Sequence, residues 1–250
     1  YLEGSLKSTA RQRRGSGDHI LVQEETPIPK GDWHSFLHVE ENKTELYHFL
    51  AQRISNLTFP GKSVYSTLEN EVVYPNNDIQ DILSPCNHEE ADSRLLLHTL
   101  DCAQRGHSKV LIRTVDTDVV VIAISTFHLI PLQELWIAFG KGKYFKLIPI
   151  HDIANSLGEQ RARALRFFHA FTGCDTSSAF AHIEKATAWK TWNVFPEVTE
   201  AFVNLAVPIT SVPEEVFQLL QRYVVLLYEE PVDVTLSMNN GRHCLPKVGS

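Results

Sequence analysis

Apolar residues in this chain recur with helical period in some stretches and with strand period in others. At about 43–55 the stretch N-K-T-E-L-Y-H-F-L-A-Q-R-I sets Leu46, Phe49, Leu50 and Ile54 on one helical face. Pro60-Gly61 punctuates it, and S-V-Y-S-T-L and E-V-V-Y then alternate as one or two short strands do. A helix is predicted from about Glu89 to Gln104, stopping before Gly106, and a β-branched strand from Lys109 to Val115, K-V-L-I-R-T-V. After D-T-D comes V-V-V-I-A-I-S, whose unbroken apolarity fits either a strand or a buried helix. E-L-W-I-A-F, G-K-G-K and Y-F-K-L-I-P-I predict a hairpin with glycines at its turn. A helix-rich segment begins at His151, and residues 178–230 read as mostly helical, with breaks near Pro196, Pro208 and Pro213.

Strand–helix alternation in the middle of the chain predicts an α/β fold, a parallel sheet with helices on both faces. On this organisation residues 1–60 hold a basic helix, a loop and a helix, residues 61–193 the α/β core, and residues 194–250 a helical extension. The chain has 250 residues, 43% of them hydrophobic, enough to bury a full core. Its formal charge of −7 excludes a generic basic nucleic-acid coat protein, but a carboxylate-lined metal site is itself acidic and can mask a local basic face. Cys86, Cys102, Cys174 and Cys244 form no C-x-x-C and no Cys/His cluster, so structural zinc and a disulfide framework are not expected. A reducing, intracellular compartment follows, with the nucleus as a candidate address. No apolar run approaches the roughly 18 residues of a membrane helix. The first residue is Tyr1 and Met238 is the single methionine, so the chain is expected to be a piece of a longer protein.

Candidate chemistry lies in three acidic clusters, each at an element boundary. Glu89, Glu90 and Asp92 open a predicted helix, where Asn87 and Glu90 also suit a capping box and acids favour the helix dipole. Asp116 and Asp118 follow an apolar strand directly. Ligands of open α/β sheets bind beyond the carboxyl ends of strands. The pair reads equally well as a divalent-metal pair or as a turn in which Thr117 or Asp118 caps the next helix. Asp175 follows Gly173 and precedes a Ser/Thr cluster, where a helix cap is the plainer reading. Taken together, these carboxylates suit one or two Mg²⁺ or Mn²⁺ ions, which prefer oxygen ligands. Two such ions can drive phosphodiester hydrolysis with no nucleophilic side chain. The chain carries no G-x-S-x-G, Walker A, H-E-x-x-H or Rossmann glycine set.

The order of these motifs resembles the XPG/flap-endonuclease branch of the PIN-like superfamily. Glu90-Ala91-Asp92, Asp116-Thr117-Asp118 and Gly173-Cys174-Asp175 match its E-x-[ED], D-x-D and G-x-D, with Pro85-Cys86 before the acidic pair. Its basic helix is matched by S-L-K-S-T-A-R-Q-R-R-G within residues 1–17. The resemblance implies a three-layer α/β/α fold with a mainly parallel sheet, here truncated at the N-terminus, and a metal-dependent nuclease acting on DNA or RNA. It implies that Glu90, Asp92, Asp116, Asp118 and Asp175 hold two Mg²⁺ or Mn²⁺ ions, and that Lys7 and Arg11 neutralise the scissile phosphate. Glu89 would be an alternative ligand, and further carboxylates of the family would precede Tyr1. One departure stands out: Ala179 to Trp189 contains no glycine, where the branch carries a glycine-rich helical hairpin that grips duplex. That departure favours a rival, an inactive PIN-like module binding nucleic acid or protein. A haloacid-dehalogenase-type phosphatase also uses D-x-D after a strand, but near the domain's start, whereas 115 residues precede Asp116. Lys141 and Lys143 read as solubility charges, and Trp33, Trp136, Trp189 and Trp192 as core or edge packing.

Overall fold

The structure, a computed structural model, describes residues 19–27, 33–73, 83–86, 91–175 and 177–229. The chain divides into two compact units, residues 1–162 and residues 163–250.

In the first unit, helices α1 (Trp33–His38) and α2 (Glu40–Ser55) bury Phe36, Val39 and Ala51. Asn42 is also buried: its amide donates to Phe36 O at 3.3 Å, and its Oδ1 accepts from Ile20 N at 2.6 Å. The two alternating runs form an antiparallel hairpin, β1 (Ser66–Leu68) and β2 (Glu71–Val73), in the register Ser66↔Val73. Helix α3 (Ala91–Gln104) anchors the hairpin through Arg94, whose guanidinium donates to Glu69 O and, at 3.2 Å, to Cys86 O. Gly106, at φ +89°, ends α3 as its position in the sequence predicts. His107 N donates to Cys102 O and Gly106 N to Ala103 O, each at 3.0 Å, which is a Schellman cap.

Strand β3 (Lys109–Thr114) pairs in parallel with β4 (Glu134–Phe139), from Lys109↔Glu134 to Thr114↔Phe139. Parallel neighbours need a crossover connection, and this resolves the ambiguous run: Thr117–Thr126 is a helix, α4, burying Val119, Ala123 and Ile124. The predicted hairpin is present, with β5 (Lys146–Pro149) antiparallel to β4. Gly140 at φ +82° makes its turn possible, because a Cβ there would lie 2.5 Å from Tyr144 O. Helix α5 (Ile150–Leu157) packs back on β4.

Strand order in this sheet is β3-β4-β5, so its orientation is mixed. Ile112, Leu135 and Ile137 are buried on one face, toward α3 and α5. On the other face Leu111 and Leu147 are exposed. Among the described residues the helices therefore cover one face of the sheet, against the expectation of helices on both. The reason is local: the connection after β4 is a hairpin, and the helix after it returns to the face already occupied.

The division between the two units falls inside α6 (Glu159–Phe171). The second unit adds α7 (Lys185–Val194), α8 (Val198–Leu205) and α9 (Glu214–Tyr228), with Pro196, Pro208 and Pro213 between helices as predicted. Its core is aromatic. Trp192, Phe202 and Tyr223 are fully buried, with Trp192 against Phe168 at 4.9 Å and edge-on to Phe202 at 5.2 Å. The polar ends are satisfied: Trp192 Nε1 donates to Thr199 Oγ1 at 2.9 Å, and Tyr223 Oη to Ala188 O at 2.7 Å. Burial pushes the Tyr223 phenol above its ordinary value. Among the described residues no helix is long and apolar enough to cross a membrane.

Trp192→Ala is expected to cost about 3–5 kcal/mol through the cavity it opens. Tyr223→Phe, losing one buried hydrogen bond, should cost about 1 kcal/mol. Urea denaturation followed by tryptophan fluorescence measures Tyr223→Phe, and far-ultraviolet circular dichroism measures Trp192→Ala.

Candidate metal centre

The D-T-D segment sits at the carboxyl end of β3. Asp116 N donates to Thr114 Oγ1 at 3.0 Å, turning the chain as the strand ends. Asp116 then caps α4, its Oδ1 accepting from Asp118 N at 2.8 Å. The cap is thus Asp116 itself rather than Thr117 or Asp118. Asp116 is exposed and Asp118 half-buried in the first helical turn, where the helix dipole favours negative charge.

The β4–β5 turn borders the same end of the sheet. Gly140 N donates to Thr114 O at 3.2 Å, one step beyond the last paired residues. The Arg113 guanidinium reaches across, donating to Ala138 O at 2.7 Å and Gly140 O at 2.5 Å. Asp116 and Asp118 therefore stand beside a turn whose backbone is held by an arginine of the preceding strand.

The other candidates are placed as follows. Asp92 lies half-buried in the first turn of α3. Asp175 is exposed in the second unit, in a turn after α6. There Gly173 adopts φ +99°, and a Cβ on it would lie 2.6 Å from Ala179 Cβ. Ser177 Oγ accepts from Cys174 N at 3.1 Å and donates to Ala170 O at 2.5 Å, so the Ser/Thr cluster closes the turn. Glu89, Glu90, Lys7 and Arg11 lie outside the described residues. Among the described residues no three His, Cys, Asp or Glu side chains gather to hold a metal ion. The all-oxygen donor set of the D-T-D pair suits Mg²⁺ or Mn²⁺ rather than a soft metal. One oxygen of Asp116 serves the cap, and a carboxylate has a second to offer.

A buried polar cluster escaped the sequence reading. Asp101 is buried on α3 and pairs with Arg105 Nε at 2.8 Å, and Arg105 also donates to Tyr65 Oη at 3.0 Å. The i, i+4 spacing of Asp101 and Arg105 was a visible signal. Nothing in the sequence brings Tyr65 to them. Beside this pair, burial and the Asp101 charge push the Cys102 thiol up, with Arg105 opposing. Burial pushes His98 down, Asp101 opposing and Arg94 adding, and its ring nitrogen lies 3.3 Å from Thr67 Oγ1.

His98 thus has a folded pKa below its ordinary 6.5. The unfolded chain takes up the proton first as pH falls, so stability should drop as pH falls through 6.5 and level off below the folded value. Urea midpoints measured between neutral and mildly acidic pH should show this decline, and His98→Gln should flatten it. Asp116→Ala should cost about 1 kcal/mol through loss of the cap, while Asp116→Asn, which can still accept from Asp118 N, should cost only a few tenths; thermal melts of both variants measure the difference. No family model, no curated protein and no solved structure matches the chain.

Proposed function

We propose that this chain is the carboxylate-bearing part of a PIN-like, metal-dependent nuclease domain that hydrolyses phosphodiester bonds of DNA or RNA. The observation that carries this reading is the placement of Asp116 and Asp118 together at the carboxyl end of a parallel strand pair, with the first of them exposed. In the reading, Asp116 and Asp118 hold cations through oxygens not spent on the cap, and Glu90 and Asp92 are their proposed companions. Lys7 and Arg11 neutralise the scissile phosphate. Two bound Mg²⁺ or Mn²⁺ ions would supply hydroxide and further charge neutralisation, so that no nucleophilic side chain is needed. A mainly parallel three-layer sheet belongs to the same proposal.

The cap bond also favours a second reading. A carboxylate that serves Asp118 N already has a complete structural role, and a module that binds nucleic acid or protein without turnover would keep it. The stretch from Ala179 to Trp189, which lacks glycine, points the same way.

Asp116→Asn separates the readings, because it retains the cap acceptor and removes the charge. In the nuclease reading, Mn²⁺-dependent cleavage of labelled DNA or RNA falls at least ~100-fold in Asp116→Asn, in line with the several kcal/mol that metal catalysis supplies. Cleavage at the wild-type rate by that variant would falsify the assignment of Asp116. Full-length protein that binds no Mn²⁺ in calorimetry and cleaves nothing would establish the second reading instead.

A further inference from the structure

The bare face and turn end of the β3-β4-β5 sheet carry an arrangement that the acidic site does not use. Leu111 and Leu147 are 62% and 54% exposed, and at the turn Tyr144 and Phe145 are 73% and 50% exposed. Register puts Leu111 beside Trp136 on this face, with Arg113, Ala138 and Leu147 in the next row. Cations stand over the rings: Arg113 is 5.5 Å from the centroid of Phe145, and Lys143 is 5.1 Å from that of Tyr144.

The β4–β5 turn is itself basic, beside the acidic D-T-D pair at the same end of the sheet. Between Glu134 and Asp152 the sequence holds Lys141, Lys143 and Lys146 and no carboxylate, in a chain of net charge −7. Glu134 is itself matched by Lys109, which, with Trp136 Nε1, holds its carboxyl below the usual range. A second copy of the chain meeting this face symmetrically would bring the lysines against their own image. A polyanion with flat apolar faces fits better.

We infer that the exposed rings of Tyr144 and Phe145, with Arg113, Lys141 and Lys143 around them, form a docking surface for single-stranded nucleic acid. Bases stack on the free sides of the rings, and phosphates lie against the lysines. Duplex fits less well, because its bases are already stacked on one another. The strand would pass the end of β3 where Asp116 stands, since Gly140 is hydrogen-bonded to Thr114 there. The inference deepens the nuclease reading by naming the strand it acts on, and rests on that reading for cleavage alone; binding is a separate property.

Fluorescence anisotropy of the full 250-residue chain with a labelled oligothymidylate, in excess chelator so that no cleavage occurs, tests it. Single strand should bind more tightly than duplex of equal length. Tyr144→Ala should weaken binding about tenfold, as expected for one lost stacking platform. Lys141→Gln with Lys143→Gln should shallow the salt dependence, by about 0.7 in slope per lost phosphate contact. These residues are exposed, so thermal melts should match the wild type. Absence of binding, equal affinity for duplex, or variants that bind as the wild type does would each overturn the proposal. Displacement of the strand by polyglutamate at equal charge concentration would also overturn it, in favour of an acidic protein partner. Binding that survives without any Mn²⁺-dependent cleavage by the full-length protein sustains this surface and sinks the nuclease reading.

Discussion

Parallel pairing of β3 with β4 is the constraint on which the first unit turns. Two parallel neighbours cannot be joined by a tight turn, so the chain between them must travel back along the sheet, and a helix is the form in which it does so. That requirement makes α4 a helix despite a sequence rich in β-branched residues, overriding a propensity of tenths of a kcal/mol per residue. It also sets the carboxyl ends of both strands at one end of the sheet. The D-T-D segment leaves one strand there and the lysine-bearing turn leaves the other. The hydrogen bond from Gly140 to Thr114 joins the two.

Carboxylates in this unit divide by burial. Asp101 is inside, and its charge is answered by Arg105 within the same helix. A buried acid so matched is costly to break and serves structure. Asp116 is outside, with one oxygen committed to a backbone amide. A cap of this kind orients the side chain without neutralising it, and that is a useful property in a group that would hold a cation. The same bond explains why an acidic helix start is an ambiguous sign: dipole, cap and metal all select the same residue types in the same place.

The bare sheet face shows a second kind of ambiguity. Lysines near sheet edges discourage edge-to-edge pairing with another chain, and Lys109 and Lys146 open the two outer strands in that manner. Solubility does not call for exposed Tyr144 and Phe145 beside Lys146. Rings and cations interleaved at one end of a sheet are the feature on which the proposed binding rests.

Much of the local architecture was legible in the residues alone. Periodicity located the helix ending before Gly106, the strand from Lys109 and the hairpin around G-K-G-K, because each depends on interactions within a few residues. The prolines that separate the last helices were equally plain, since a missing amide hydrogen is a property of one residue. Trp189 and Trp192 read as packing, and Trp192 is wholly buried. Long-range contact decided the remainder. Whether V-V-V-I-A-I-S formed strand or helix depended on where Glu134 to Phe139 paired, and whether helices covered one face or two depended on the return path after β5. Tyr65 meeting Arg105 across 40 positions was likewise invisible, as was the burial of Asp101 against the exposure of Asp116. Sequence determines which groups each segment carries; only the folded chain decides which of them lose their water and which keep it, because burial is a property of neighbours rather than of a residue.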